Sequence, residues 1–284
     1  MTNALISSRD LFVKTHPETR ITISGRDWGY IRVGETGPPL ILIPGTLGRA
    51  DVFWQQIAPL KNHARLLALS YPASGSIADW ASDIAKMVTI FGLHNAVVLG
   101  SSLGGYLAQY LAANHGGLLG GLIAANTLPS VIGLDQMPPY KSDLAATPIE
   151  DLRAGFTAGL AQWVTPQHPY SDLAELLMLE VQGRIPEAEL RARLNALKTG
   201  PKLPRVKLSA SKVFTLDCGD DHLISPAWQQ EVRHNLQPSR AYHLDGASHF
   251  PYVTRPIEYT AMLEEVLGLA PVGTLWPKGK RAIL

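Results

Sequence analysis

Val97-Val-Leu-Gly100-Ser101-Ser102-Leu103-Gly104-Gly105-Tyr-Leu-Ala-Gln109 carries an apolar strand into a helical pattern through the motif G-x-S-x-G. The context matters as much as the motif, because a serine at a sharp strand-to-helix turn stands clear at the sheet edge, where its hydroxyl serves as a nucleophile. Such a turn forces the serine to positive φ, so the residues two before and two after it must be small. Gly100 and Gly104 fill those places, and Gly105 leaves room for close helix packing. Ser101 is the competing serine, but only Ser102 is flanked in this way. The same turn aims the Leu103 N–H and the helix N-terminus at an oxyanion developing beside Ser102.

On either side of this motif short apolar runs alternate with longer amphipathic stretches, the pattern of βαβ units on a parallel sheet. Strands are predicted at 20–24, 30–33, 40–43, 65–70, 96–99, 121–125, 212–216 and 240–244. Several are continuous apolar runs, as strands covered on both faces must be. The first two alternate and carry charges nearby, which suits an antiparallel edge. Helices are predicted at 52–60, 77–91, 103–114, 226–235 and 257–267. The fold class is therefore α/β, a mostly parallel sheet with helices on both faces.

One segment interrupts the alternation. Residues 129–204 are rich in proline and contain no convincing strand. Ser171 is placed to cap a helix over 172–181 with Glu175 in its first turns, and Leu190, Leu194 and Leu197 share a face of a helix opened by Pro186. The segment reads as a helical cap inserted into a discontinuous core of residues 1–128 and 205–284. Met137, Tyr140, Phe156, Leu160 and Trp163 are its large apolar side chains that either line a substrate pocket or pack the cap onto the core. The tail from Pro271 reads as a poorly ordered extension.

A nucleophilic serine needs a base and an acid. His249 lies in Leu244-Asp-Gly-Ala-Ser-His249-Phe-Pro251, after the last strong strand and before the final helix. His222 is the rival imidazole, but it stands in the loop where the acid belongs. That loop follows the preceding strand and reads Asp217-Cys-Gly-Asp220-Asp221-His222-Leu223-Ile224. A buried carboxylate there would accept the Nδ1–H of His249 and stabilise the imidazolium. Asp221 is favoured, since Leu223 and Ile224 resemble the apolar pair that trails such an acid; Asp220 and Asp217 remain open. The second oxyanion donor is expected from the loop Pro44-Gly45-Thr46-Leu47-Gly48, with the Thr46 N–H joining that of Leu103.

Composition bounds the alternatives. The chain has 284 residues, 46% of them apolar and 17% charged, with 25 basic against 24 acidic side chains and a net charge of +1. That balance, with no basic stripe before the Lys278–Arg281 tail, argues against a nucleic-acid partner. The single cysteine, Cys218, excludes an internal disulfide and a multi-cysteine metal site. No run of about 18 apolar residues is present, so no membrane span is expected. The start lacks a charged and an apolar leader region, so a cytoplasmic enzyme is expected. The chemistry calls for no metal or organic cofactor, and composition allows a homodimer as readily as a monomer.

Residues 40–57, Gly100-Ser-Ser-Leu-Gly-Gly-Tyr-Leu-Ala-Gln109 and Ser248-His-Phe-Pro-Tyr252 resemble the α/β-hydrolase superfamily, and within it the maspardin-like branch. Ala50-Asp-Val-Phe53 and Phe250-Pro-Tyr252 are the more telling pieces, because the fold at large does not carry them. The resemblance implies a serine hydrolase acting on a small-molecule ester or related acyl bond through Ser102, His249 and Asp221. It also implies two alternatives. One is a non-catalytic protein-binding module, since maspardin is regarded as a binding protein and lacks the histidine that stands here as His249. The other is a different chemistry on the same triad, such as C–C bond hydrolysis, lyase action or cofactor-free peroxidation.

Overall fold

The computed structural model describes residues 3–271 and 281–282. Its sheet is built outward from the apolar runs. β1 (Thr19–Ile23) and β2 (Arg26–Val33) form an antiparallel edge hairpin, followed by β3 (Pro39–Ile43), β4 (Arg65–Ser70), β5 (Ala96–Ser101) and β6 (Leu119–Ala125). β7 (Val213–Cys218), β8 (Arg240–Leu244) and the two-residue β9 (Arg281–Ala282) complete it. Strand order is β1-β2-β4-β3-β5-β6-β7-β8-β9, and β3 to β8 run parallel to their neighbours among themselves.

The helices are α1 (Ala4–Thr15), α2 (Trp54–Leu60), α3 (Ile77–Ile90), α4 (Leu103–His115), α5 (Ile149–Ala161), α6 (Ser171–Leu179) and α7 (Glu187–Lys198). After β7 come α8 (Pro226–Leu236), the short α9 (Pro251–Thr254) and α10 (Pro256–Val266). Alternation along β3 divides the core between the two faces of the sheet. Leu40 and Leu42 pack with residues of α2, α6 and α10, while Ile41 and Ile43 pack with residues of α3 and α4. All four are 0% exposed, which is why the strand reads as a continuous apolar run rather than an alternating one.

The chain leaves β3 for β4 on one side and returns to β5 on the other. That reversal makes β3 and β5 the topological switch point, beyond whose carboxyl ends ligands bind in open α/β sheets. The register Ile43↔Gly100 sets the loop after β3 beside the Ser102 turn.

Several local expectations differ from the structure. β2 begins at Arg26 because Ser24 and Gly25, at φ 52° and 79°, make a tight two-residue hairpin turn. Helix α1 is unannounced by any strong amphipathic pattern, and Arg9 is buried on it. Helix α5 is masked in the sequence by Gly155 and Gly159, which lower helix propensity. The expected helix over 52–60 splits into a 3₁₀ turn at Ala50–Phe53 and α2. Ser171 lies inside α6, whose N-cap is Tyr170 with no side-chain cap bond, while the Glu175 carboxylate accepts from Asn3 Nδ2 at 2.9 Å. Between β6 and β7, residues 126–212 form no strand among the described residues. The expected tail extension lies outside the described residues except at Pro271 and at Arg281–Ala282, which pairs antiparallel with β8. Among the described residues no helix is long and apolar enough to cross a membrane.

Candidate active site

β5 ends at Ser101 and α4 begins at Leu103, which leaves Ser102 alone at the turn with φ 55° and ψ −119°. A non-glycine residue at positive φ is strained and persists only when its surroundings hold it. Here the Ser102 N–H donates to the Ala125 carbonyl at 3.0 Å, and the Ser102 carbonyl accepts from Thr127 Oγ1 at 2.7 Å and from the Tyr106 N–H at 3.0 Å. The two glycines are there for steric reasons. A Cβ at Gly100 would run into the Gly104 carbonyl, and one at Gly104 into the carbonyls of Ile43 and Pro44.

Gly104→Ala is therefore expected to push the Ser102 turn away from the loop after β3. The expected destabilisation is about 1–3 kcal/mol, as for other overpacking substitutions. Thermal unfolding measures it, and a melting temperature equal to that of the unsubstituted protein would mean that the contact is softer than the backbone geometry implies.

His249 lies between β8 and α9 and is 2% exposed. Its Nδ1 stands 2.9 and 3.0 Å from the two carboxylate oxygens of Asp221. Asp221 also accepts from the Leu223 and Ile224 N–H groups at 2.9 and 3.0 Å and from Asn126 Nδ2 at 2.9 Å. Burial alone would raise the Asp221 carboxyl. The charge and hydrogen bond of His249, with the bonds from Asn126 and the Ile224 N–H, outweigh it and hold the group below the ordinary carboxylate value. Asp221 is thus an anion at neutral pH, set against an imidazole nitrogen.

The other two aspartates have different partners. Asp217 sits within β7 and is bound by Arg233 and His243. Asp220 accepts from the Ala247 and Ser248 N–H groups at 2.9 and 3.0 Å through one oxygen, and from the Tyr170 hydroxyl at 2.7 Å through the other. It therefore ties the His249 loop to the helical segment. Asn126, at φ 43° just after β6, was not singled out in the sequence, and nothing in its local pattern announces its bond to Asp221.

Among the described residues Ser102 Oγ makes no hydrogen bond to His249; the structure joins His249 to Asp221, after β8 and β7, and sets Ser102 at the end of β5, with β6 between β5 and β7. The loop after β3 approaches from the other side, where a Cβ at Gly45 would lie 3.1 Å from Ser102 Cβ and 3.8 Å from Oγ. Leu103 is the first residue of α4, so its N–H has no intrahelical acceptor. The Thr46 N–H has no acceptor among the described residues.

His222, the rival imidazole, is exposed and lies 6.5 Å from the His249 ring. Trp163 meets it edge-on at 4.6 Å and also stacks on His168 at 5.6 Å. Of the other large residues of 129–204, Leu160 is buried, Tyr140 and Phe156 are half-buried against the core, and Met137 is 45% exposed. The two stretches Ala50–Phe53 and Phe250–Tyr252, far apart in sequence, touch in space. The Phe53 and Tyr252 rings lie 5.1 Å apart, and Gln56 Nε2 donates to the Tyr252 carbonyl at 2.9 Å, steadying the segment that follows His249.

A model of the alpha/beta hydrolase family matches residues 40–262. Mouse maspardin is 26% identical over 258 residues, covering 87% of this chain and 82% of that one. The pimeloyl-[acyl-carrier protein] methyl ester esterase of Vibrio cholerae is 23% identical over 265 residues, covering 83% of this chain and 96% of that one. Among solved structures, a thermophilic esterase from Thermogutta terrifontis superposes with a TM-score of 0.73 at 17% identity, covering 89% of this chain and 98% of that one. The enol-lactonase of Burkholderia xenovorans gives 0.69 at 16% identity, covering 88% and 100%. The structural likenesses speak for the fold alone.

Proposed function

The chain belongs to the alpha/beta hydrolase family, and from that premise we propose that it cleaves a small-molecule carboxylic ester or related acyl bond through Ser102, His249 and Asp221. Ser102 Oγ attacks the acyl carbon while His249 takes its proton. Asp221 holds the imidazole in one tautomer and stabilises the imidazolium. The oxyanion is received by the N–H groups of Thr46 and Leu103. Collapse expels the alcohol, protonated by His249, and leaves an acyl group on Ser102. Water, deprotonated by His249, then releases the acid and restores the serine. Every group this cycle needs is a side chain or backbone N–H of the chain itself.

The observation that carries this reading is the buried His249–Asp221 pair at 2.9 Å. A carboxylate and an imidazole buried against each other are costly to keep unless they act as a unit. The similarity to a methyl ester esterase supports an ester with a small alcohol. A series of p-nitrophenyl esters of graded acyl length, run with Ser102→Ala as control, tests the activity. Turnover that the control retains would reject it.

In this reading residues 129–204 cap the site and shape its substrate pocket. Trp163, packed on His222, whose ring lies 6.5 Å from that of His249, then sets acyl length, with each methylene worth about 1–3 kcal/mol in discrimination. Trp163→Ala is expected to shift the preferred chain length with a modest change on the best new substrate. The profile and the melting temperature are measured on one preparation. An unchanged profile with a lowered melting temperature would assign Trp163 to packing.

The similarity to maspardins favours a second reading, a binding module that keeps the fold and leaves Ser102 idle. An idle serine would not react with a fluorophosphonate, so labelling separates the two.

A further inference from the structure

The loop Pro44-Gly45-Thr46-Leu47-Gly48 has most of its carbonyls individually held. The Pro44 carbonyl accepts from the Tyr71 hydroxyl at 2.7 Å, and the Gly45 carbonyl from the Gly48 N–H at 3.1 Å, which closes a turn. The Thr46 and Gly48 carbonyls both accept from Nη1 of Arg193 at 2.9 Å. Arg193 comes from α7, in the helical segment between β6 and β7. Its side chain is 0% exposed, with Nη2 on Glu189 at 3.1 Å and the guanidinium 5.1 Å from the centre of the Tyr71 ring.

Burying a guanidinium is expensive, and stability alone is served as well by an apolar side chain of similar size. Two features say what this one does instead. Its Nε is buried without a hydrogen-bond partner, so the side chain is not arranged to satisfy itself. Both hydrogens of Nη1 go to carbonyls of one turn rather than to a carboxylate. A trans peptide points its C=O and N–H in opposite directions. With the Gly45 and Thr46 carbonyls fixed on either side of Thr46, its N–H is left a single direction, outside the turn. Gly45 in the same turn lies against Ser102. Burial draws the Arg193 guanidinium down to about 10, still charged at neutral pH.

We propose that Arg193 is a positioning residue for the oxyanion site: from the helical segment it clamps the Thr46 and Gly48 carbonyls and thereby aims the Thr46 N–H. The proposal rests on the hydrolase reading above. It makes the helical segment part of the catalytic apparatus, since removing that clamp frees the turn even when the substrate pocket is intact. An oxyanion donor is effective only when fixed before charge develops, and loss of one donor costs about 10²–10³-fold in kcat.

The test uses the full chain with Arg193→Met and Arg193→Lys. Active sites are counted by fluorophosphonate titration, so that kcat is expressed per reactive serine and unfolded protein drops out. Arg193→Met is expected to lose on the order of 10²-fold in kcat with KM changed little. Its affinity for a trifluoromethyl ketone, which forms a tetrahedral oxyanion on the serine, falls by a similar factor. Arg193→Lys, which keeps the charge and one nitrogen within reach, is expected to recover part of both. A purely structural role would lower the melting temperature and the number of titratable sites, and leave kcat per site and ketone affinity unchanged; that result overturns the proposal. If Arg193→Met does not fold, unchanged kcat per site and ketone affinity in Arg193→Lys overturn it equally. Failure of the wild-type chain to react with fluorophosphonate is a different result, and it removes the hydrolase reading and this proposal together.

Discussion

Ser102→Ala is expected to lower kcat by on the order of 10⁴–10⁶-fold, and His249→Ala by a comparable factor, because members of a triad fail as a unit. The double substitution should be little worse than either single one. Stability should hardly move in Ser102→Ala, since Ser102 Oγ makes no hydrogen bond among the described residues, and the backbone contacts that hold the turn do not involve the side chain. Unfolding curves and kcat on one ester, measured for the two singles and the double, give the whole cycle. Losses that multiply in the double variant would mean that His249 acts by some route other than through Ser102.

Asp221→Asn is expected to cost about 10⁴-fold in kcat, the penalty when a triad acid can no longer hold the right tautomer. An asparagine keeps an oxygen for the Leu223 and Ile224 N–H groups but turns a donor towards His249 Nδ1 or leaves that nitrogen unpaired. Asp220→Asn should be milder, no more than about 10²-fold, because it loosens the His249 loop at Ala247 and Ser248 without touching the imidazole. Asp217→Asn, which disturbs only the Arg233 and His243 contacts, should remain close to wild type. If Asp220→Asn is the crippled variant, the acid is one residue earlier than the Asp221–His249 geometry implies.

What could be read in the sequence was what sterics and burial impose locally. The Ser102 turn was legible because neither Gly100 nor Gly104 has room for a Cβ. The central strands were legible because burial on both faces makes them continuous apolar runs, as in the fully buried Leu40–Ile43 stretch of β3. Asp217 at the end of β7 and Asp220 and Asp221 in the loop after it could be ranked but not separated, since they differ in tertiary partners rather than in local pattern. Asp217 answers to Arg233, Asp220 to the His249 loop and Asp221 to the ring itself. Arg193 was invisible for the same reason. In sequence it is one more arginine on a charged helix, and only the fold reveals that it is wholly buried against the turn at Thr46. Helix α1 escaped because its packing depends on a buried arginine, Arg9, that reaches Glu180 more than a hundred residues away.

The central claim is that Ser102 is an activated nucleophile. Incubation of the full chain with a fluorophosphonate, followed by peptide mass mapping, measures this directly. The account predicts one stoichiometric adduct on Ser102, absent from Ser102→Ala and strongly slowed in His249→Ala. A folded protein that takes up no label, or takes it up at Ser101 or elsewhere, would contradict it.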